Sequence, residues 1–149
     1  MAPNLALGVV EGKPSLRPYL TFDGKAAEAM KFYNSVLGGK LSVQTFGEAN
    51  MGNTPEEQKR IVHATLEHDL LTFMASDSMP GKAPKVGDNI SLSIDGKDYE
   101  WLSKVFEKLS QGGRVDMPLS QQYWGDTFGM LTDRFGIHWM INIRAKPNP

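Results

Sequence analysis

Two stretches of the chain carry the same pattern of apolar and polar positions. Residues 19–41 and 91–115 each begin with an alternating segment, pass through Asp-Gly-Lys and continue with apolar residues at helical spacing. Alternation with a period of two is typical of a half-buried strand, whereas apolar residues three and four apart are typical of an amphipathic helix. The copies match at an offset of 72 residues, so that Asp23 recurs as Asp95. The pattern therefore predicts a duplicated strand–helix unit.

Extended segments follow each predicted helix. A Gly-Gly pair, beginning at Gly38 and at Gly112, ends each helix, because glycine adopts the left-handed conformation of a C-cap without strain. The segments behind the two pairs are residues 40–46, 61–67, 70–76, 115–118, 127–131 and 137–143. In each half the last two segments are joined by a connection short enough for a hairpin. Each half is therefore predicted to be a βαβββ module.

The modules divide the chain into four parts. We predict an N-terminal tail at residues 1–15, a first module at 16–76, a linker at 77–88 and a second module at 89–144, together forming one domain. The linker is rich in glycine, proline and lysine, as connecting segments are. Within the first module, Thr54, Pro55 and Glu57 fit a capping box and predict one or two helical turns.

Composition excludes several classes of function. The 149 residues can bury a substantial core, and the absence of cysteine excludes disulfides, zinc–thiolate sites, iron–sulfur clusters and cysteine nucleophiles. With 16 basic and 17 acidic residues in no long runs, the chain shows no footprint for nucleic acid. No apolar run approaches the ~20 residues that a membrane span needs. We therefore expect a cytoplasmic protein, bound to neither membrane nor nucleic acid, whose partner is a small molecule.

Three stretches carry a resemblance to a known family. Residues 19–33 (YLTFDGKAAEAMKFY), 63–77 (HATLEHDLLTFMASD) and 124–141 (WGDTFGMLTDRFGIHWMI), with the duplicated module, resemble the vicinal-oxygen-chelate superfamily of glyoxalases, bleomycin-resistance proteins and dioxygenases. The chain is most similar to the PhnB-like branch. The resemblance implies an α+β fold in which two βαβββ modules form a curved mixed sheet around a concave cleft, with helices outside. It also implies a homodimer.

The implied architecture sorts the alternating strands into two faces. Ile137, Trp139 and Ile141 would pack against the helices, and His138 and Met140 would look into the cleft. In the first strand of the second module, the same rule turns Ile90, Leu92 and Ile94 to the helices and Asn89, Ser91 and Ser93 to the cleft.

Metal-dependent relatives hold a divalent ion with four side chains. Each module supplies one from its first strand and one from its last strand. Carried over by resemblance, these positions fall at Pro18, at Asn89, at Phe73 or Met74, and at Met140. Only Asn89 offers a hard oxygen ligand of the kind such ions need. We therefore expect no metal and no other cofactor, with the methionines serving as flexible apolar lining.

The remaining candidates are histidines and aromatic residues. His63 is the candidate catalytic residue, since a strand face that points to the cleft would let it bind substrate or exchange a proton; a structural histidine is the alternative. His68 is predicted to be solvated at a hairpin end. Asp77 is predicted to cap the turn that follows it, with a hydrogen bond in the linker or contact with a ligand as the alternatives. Trp124 would cover the cleft or anchor its loop. The predicted ligand-binding residues are Phe73, Asn89, Ser91, Trp124, His138 and Met140.

These features lead to three hypotheses for function. The first is a protein that binds a small organic ligand in its cleft without the usual divalent metal. The second is a glyoxalase-like lyase or isomerase, or a dioxygenase, assisted by a relocated metal or by His63. The third is a non-catalytic dimeric scaffold. The sequence has no dinucleotide or phosphate-loop motif, no serine nucleophile elbow and nothing resembling a methyl-donor nucleotide site.

Overall fold

A computed structural model describes residues 14–69 and 71–146 of the chain. The first half contains β1 (Tyr19–Phe22), α1 (Ala26–Leu37), β2 (Lys40–Thr45), α2 (Pro55–Gln58), β3 (Ile61–Glu67) and β4 (Thr72–Asp77). The second half contains β5 (Leu92–Gly96), α3 (Tyr99–Ser110), β6 (Arg114–Gln121), β7 (Thr127–Thr132) and β8 (His138–Ile143). Most of the predicted tail, residues 1–13, lies outside the described residues, as does Leu70 of a predicted strand.

The two halves fold into sheets of identical topology. Their strand orders are β1-β4-β3-β2 and β5-β8-β7-β6, and in each sheet the first strand pairs in parallel with the last while the other pairs are antiparallel. The predicted α+β class and the duplicated βαβββ unit are confirmed. The strands form two separate four-stranded sheets, because β1 and β5 each have a ladder partner on one side only.

The two copies of the repeat begin their helices differently. Asp98 accepts a hydrogen bond from the backbone N–H of Trp101 and caps α3 from its own segment. The N-cap position of α1 is Lys25, which has no such side chain. Instead the buried Asp77, at the end of β4, accepts from the N–H groups of Gly24 and Ala26 at 2.7 and 3.0 Å and from that of Ile61 at 2.8 Å. Asp77 therefore caps the β1–α1 turn, which lies more than 50 residues earlier in the chain, and not a turn of the linker that follows it.

The glycine pairs that follow α1 and α3 have two structural roles. Gly38 and Gly112 have φ angles of 79° and 74°, in the left-handed region that favours glycine. The second glycine of each pair lies against a neighbouring strand: a Cβ on Gly113 would be 2.2 Å from the carbonyl oxygen of Thr132. Each pair therefore ends a helix and lets the next strand approach its hairpin closely.

One core joins the two modules. The buried faces of α1 and α3 belong to a single apolar cluster that includes Phe73 of the first sheet and Trp139 of the second. Half-buried and buried residues alternate along β8, with Trp139, Ile141 and Ile143 buried, as predicted. Ile90 departs from the prediction, because β5 begins only at Leu92 and the Ile90 side chain is 76% exposed.

Two local predictions can also be compared with the structure. The hydroxyl of Thr54 accepts from the N–H of Glu57, which confirms the capping box at the start of α2. His68 is half-buried and stacks on Trp101 of α3 at 6.3 Å, so the prediction of a solvated histidine was wrong. Sequence could not reveal this contact, because it joins a turn of one module to a helix of the other.

None of the described helices combines the length and apolar character needed to cross a membrane.

Candidate functional site between the modules

A cavity of about 410 Å³ lies between the two modules, beneath the segment that connects them. We call it the linker cavity. Its walls come from β1, from the connecting segment at residues 84–90, from the start of β5 and from the β7–β8 turn. Its volume falls within the roughly 300–1,000 Å³ of small-molecule sites. The two modules and their connection therefore border a half-open space that neither module forms alone.

The lining is mostly apolar with a few polar groups. The apolar side chains are Leu20, Pro84, Val86, Ile90, Leu92, Phe135 and Ile137. The polar side chains are Tyr19, Thr21, Lys85 and His138. Such a surface can hold an apolar body and orient it through a small number of hydrogen bonds.

His138 closes one side of the linker cavity and has protein partners for both ring nitrogens. Its Nδ1 lies 2.9 Å from the hydroxyl of Thr132, and its Nε2 lies 3.2 Å from the carbonyl oxygen of Gly87. The Thr132 hydroxyl is also 2.7 Å from Asp116, whose pKa is held below its usual range by hydrogen bonds from Thr132 and then Arg114. His138 thus ties β8 to the linker and shapes the cavity wall.

Tyr19 connects the linker cavity to His63. The Tyr19 hydroxyl lies 3.3 Å from Nδ1 of His63, and the Thr65 hydroxyl lies 3.1 Å from its Nε2. Either imidazole tautomer satisfies this chain, with the proton on Nδ1 or on Nε2. His63 does not line the cavity directly, but its partner Tyr19 does.

A buried carboxylate fixes the turn that forms the cavity wall. Asp133 accepts from the Tyr33 hydroxyl of α1 at 2.6 Å, from the indole N–H of Trp139 at 2.9 Å and from the N–H groups of Phe135 and Ile137. Burial, followed by the charge of Asp133, raises the pKa of Tyr33, which therefore stays a neutral donor. Since Tyr33 belongs to the first module and Asp133 to the second, this cluster also holds the modules together.

The structure separates the other predicted site residues. Ser91 and Phe73 border a smaller cavity of about 190 Å³. Phe73 is only 1% exposed and its ring packs 5.7 Å from Tyr33 and 6.4 Å from Trp139, so its predicted place on a cleft wall is corrected to the aromatic core. The reason is strand alternation: in β4 the partly exposed neighbour is Met74.

Trp124, Met140 and Asn89 are not among the residues that line the linker cavity. Trp124 is 49% exposed in the β6–β7 connection, where it borders a groove of about 1,080 Å³. It lies at the opposite end of the β7–β8 hairpin from His138, roughly 20 Å away for strands of this length. Met140 lies between Met130 and Ser93 on the half-exposed sheet face, and Asn89 is exposed just before β5. These residues do not share one pocket with His138.

The donor set does not fit a hard divalent ion. Across the strands, Met74 faces Tyr19 and Thr65, while Met140 faces Ser93 and Met130. Thioethers and neutral hydroxyls are poor partners for such ions, which prefer carboxylate or imidazole ligands. In the described part of the chain, no group of three or more His, Asp or Glu side chains is placed to hold a metal ion. The side chains at the four positions carried over from metal-dependent relatives are therefore not of the kinds that would bind a hard divalent ion.

Three residues of the site escaped sequence reasoning. Tyr19 could have been found, because alternation in β1 places it with Thr21 opposite Leu20 and Phe22. Asp133 lies in the predicted hairpin connection between residues 131 and 137, where nothing in the sequence marks it as buried. Lys85 had no usable signal, since its place in the cavity depends on the path of the linker across both modules.

The chain is similar to a known protein family and to a protein of Escherichia coli. Residues 14–142 match the family model described as 3-demethylubiquinone-9 3-methyltransferase. Protein YjdN of Escherichia coli (strain K12) is 33% identical over 146 residues, covering 90% of this chain and 97% of YjdN.

Two solved structures extend the comparison. A Bacillus cereus PhnB protein, titled a putative 3-demethylubiquinone-9 3-methyltransferase, is 30% identical with a TM-score of 0.74, covering 88% of this chain and all of that chain. A glyoxalase/bleomycin resistance protein/dioxygenase domain from Frankia sp. EAN1pec shares the fold, with a TM-score of 0.61 at 14% identity over 91% of this chain and 95% of that one. The chain therefore belongs to the PhnB-like family described as 3-demethylubiquinone-9 3-methyltransferase, built on the vicinal-oxygen-chelate fold.

Proposed function

We propose that this protein binds a small, largely apolar organic molecule in the linker cavity and does so without a divalent metal. The observation that carries the proposal is the cavity itself, of about 410 Å³ with seven apolar side chains and four polar ones. The polar groups already include a fixed hydrogen-bond chain at His138, so the wall is pre-organised before a ligand arrives.

A substitution that fills the cavity tests this proposal. Ile90 lines the cavity yet is 76% exposed, so Ile90→Trp adds bulk there with little effect on the core. Val43→Trp is the matched control, because Val43 is also exposed, at 42%, on β2 outside the cavity. Compounds that raise the melting temperature of the parent protein in a metabolite screen should lose affinity by about tenfold or more in Ile90→Trp only. Equal effects of the two variants, or no stabilising compound, would remove the support for the proposal.

The metal-free part of the proposal has its own test. Binding measured by calorimetry should be unchanged when EDTA is added and when Mn²⁺, Zn²⁺ or Ni²⁺ is supplied. A stoichiometric ion found by elemental analysis, with affinity restored only by that ion, would contradict it.

A second candidate is an enzyme that uses His63 for proton transfer. The observation that favours it is the Tyr19–His63–Thr65 chain, which ends at the cavity edge. Activity profiling on small carbonyl compounds should then show turnover that His63→Ala abolishes and Tyr19→Phe reduces with an altered pH profile. Turnover that survives His63→Ala would exclude this role of the histidine.

The methyltransferase activity in the family description is not part of our proposal. Methyl-donor nucleotides and other nucleotides are commonly held at a glycine-rich turn between a parallel strand and a helix. The described strands of this chain instead form two small mixed sheets, and the strand-to-helix turns carry Asp-Gly-Lys.

We also propose that the protein is a homodimer. The half-exposed sheet faces, with Met74 on one sheet and Met130 and Met140 on the other, offer apolar surface for a second copy. Light scattering coupled to size exclusion should give a mass near twice the 16.5 kDa of the chain. A monomeric mass at micromolar concentration would refute the assembly while leaving the linker cavity, which one chain forms, unaffected.

A further inference from the structure

One charged side chain, that of Lys85, lines the linker cavity. Lys85 and His138 are the basic residues on its wall, and none of its lining residues is an acid. The remaining walls are apolar apart from the hydroxyls of Tyr19 and Thr21. A cavity with apolar walls and basic groups differs from the surface of the whole chain, whose net charge is only −1.

Three acidic residues around this region have partners, and a fourth, Asp88, is an exposed residue of the linker that does not line the cavity. In the adjoining groove, Asp23 pairs with Arg60 at 2.8 Å and Glu28 with Lys25 at 3.8 Å. Beside His138, Asp116 pairs with Arg114. Within residues 14–69 and 71–146, Lys85 has neither an ion-pair partner nor a side-chain hydrogen bond. The ammonium of Lys85 is therefore available to a ligand.

The ring nitrogens of His138 are held by the protein. Nε2 lies 3.2 Å from the carbonyl oxygen of Gly87, and Nδ1 lies 2.9 Å from the hydroxyl of Thr132. The same hydroxyl lies 2.7 Å from Asp116. Because both nitrogens of His138 already have partners, Lys85 is the basic group of the wall that a ligand can reach.

Resting on the proposed function, we infer that the linker cavity selects an amphipathic anion, an organic molecule with an apolar body and one carboxylate or sulfonate group. The apolar body packs between Ile90, Leu92 and Phe135, which come from the linker, β5 and the β7–β8 turn. The anionic group lies at the mouth beside Lys85, where the linker is exposed to solvent. A cation would meet the ammonium of Lys85 there, and none of the lining residues is an acid.

Two fluorescent probes separate charge from apolar contact. Anilinonaphthalenesulfonate and its uncharged parent, phenylnaphthylamine, share an aromatic body and differ in the sulfonate. We expect the parent protein to bind the sulfonate about fivefold more tightly than the neutral probe in fluorescence titrations. Lys85→Met should weaken sulfonate binding about fivefold and leave the neutral probe unchanged. Lys82→Met is the matched control, since Lys82 is an exposed lysine of the same linker that does not line the cavity.

The outcomes distinguish this inference from the proposed function. Equal affinities for the two probes, or equal losses in Lys85→Met and Lys82→Met, overturn the anion preference. If Ile90→Trp still abolishes binding of the neutral probe in that case, the cavity remains the binding site. If neither probe binds, or if Ile90→Trp changes neither affinity, both the proposed site and its anion preference fail.

Discussion

The hydroxyl of Tyr33 offers a direct measure of how strongly the two modules are held together. It donates to Asp133 at 2.6 Å, and both side chains are buried, at 0% and 3% exposure. Tyr33→Phe removes this one hydrogen bond while keeping the ring that packs against Phe73 and Trp139. A hydrogen bond to a charged group contributes about 1.5–3 kcal/mol, so we expect a loss of about 2 kcal/mol in the free energy of unfolding.

The partner substitution should cost more. One carboxylate oxygen of Asp133 accepts from Tyr33 and Trp139, and the other from the N–H groups of Phe135 and Ile137. In Asp133→Asn, an amide NH₂ replaces one of these acceptors and faces groups that also donate. At least one buried donor loses its acceptor, which adds about 1–3 kcal/mol of desolvation to the loss of the charge. We therefore expect Asp133→Asn to destabilise the protein by about 3 kcal/mol or more.

Urea denaturation followed by tryptophan fluorescence measures both effects, and the buried Trp139 reports on the same cluster. Tyr123→Phe is the matched control, because Tyr123 is 97% exposed and its loss should change stability by less than about 0.5 kcal/mol. A double-mutant cycle should show that the effects of Tyr33→Phe and Asp133→Asn are not additive. If Tyr33→Phe falls within the range of the Tyr123→Phe control, the bond does not hold the modules together.

Three further predictions follow from single contacts. Asp77→Ala removes the acceptor of three backbone N–H groups and should lower the free energy of unfolding by about 3 kcal/mol. Urea titrations measure this loss, and a change under about 1 kcal/mol would argue against the capping role of Asp77. Gly113→Ala should lower the melting temperature far more than Gly87→Ala. A Cβ on residue 113 would lie 2.2 Å from the carbonyl oxygen of Thr132, whereas a Cβ on residue 87 would lie 3.6 Å from its nearest neighbour. Equal melting temperatures of the two variants would contradict the close approach at Gly113. Hydrogen bonds from Arg144, and then Asn142, lower the pKa of Asp95 below its ordinary 3.8, so its contribution to stability is complete above that pH and is lost as the pH falls through the lower value. Acid titrations of Asp95→Asn should therefore lose less stability below pH 3.8 than the parent protein, and parallel curves would refute the pairing.

The sequence by itself determined the architecture of each module. The repeat from Asp23 to Asp95 and the glycine pairs specify local structure, since they act through backbone conformation and through the period of buried side chains. The faces of β8 could be read from alternation for the same reason. Family membership also followed from linear patterns, because the motif residues lie close together along the chain.

The candidate site could be predicted only in part. His138 does line a cavity, and alternation was enough to place it on the half-exposed face of its strand. Phe73 was misplaced because a choice between Phe73 and Met74 depends on a register of one residue, which packing against Tyr33 and Trp139 decides. Ile90 was misplaced because the strand begins two residues later than its pattern suggested.

Only the tertiary structure decided which residues meet between the modules. Tyr19 and Ile90 are 71 positions apart in the sequence, and Lys85 lies in a linker whose composition predicts no contact. Their meeting depends on how α1 and the β7–β8 turn are fixed to each other by Asp133, a long-range contact with no periodic signature. Periodicity records which side of an element is buried, whereas the cavity depends on the relative placement of elements, and that is set by the shared core.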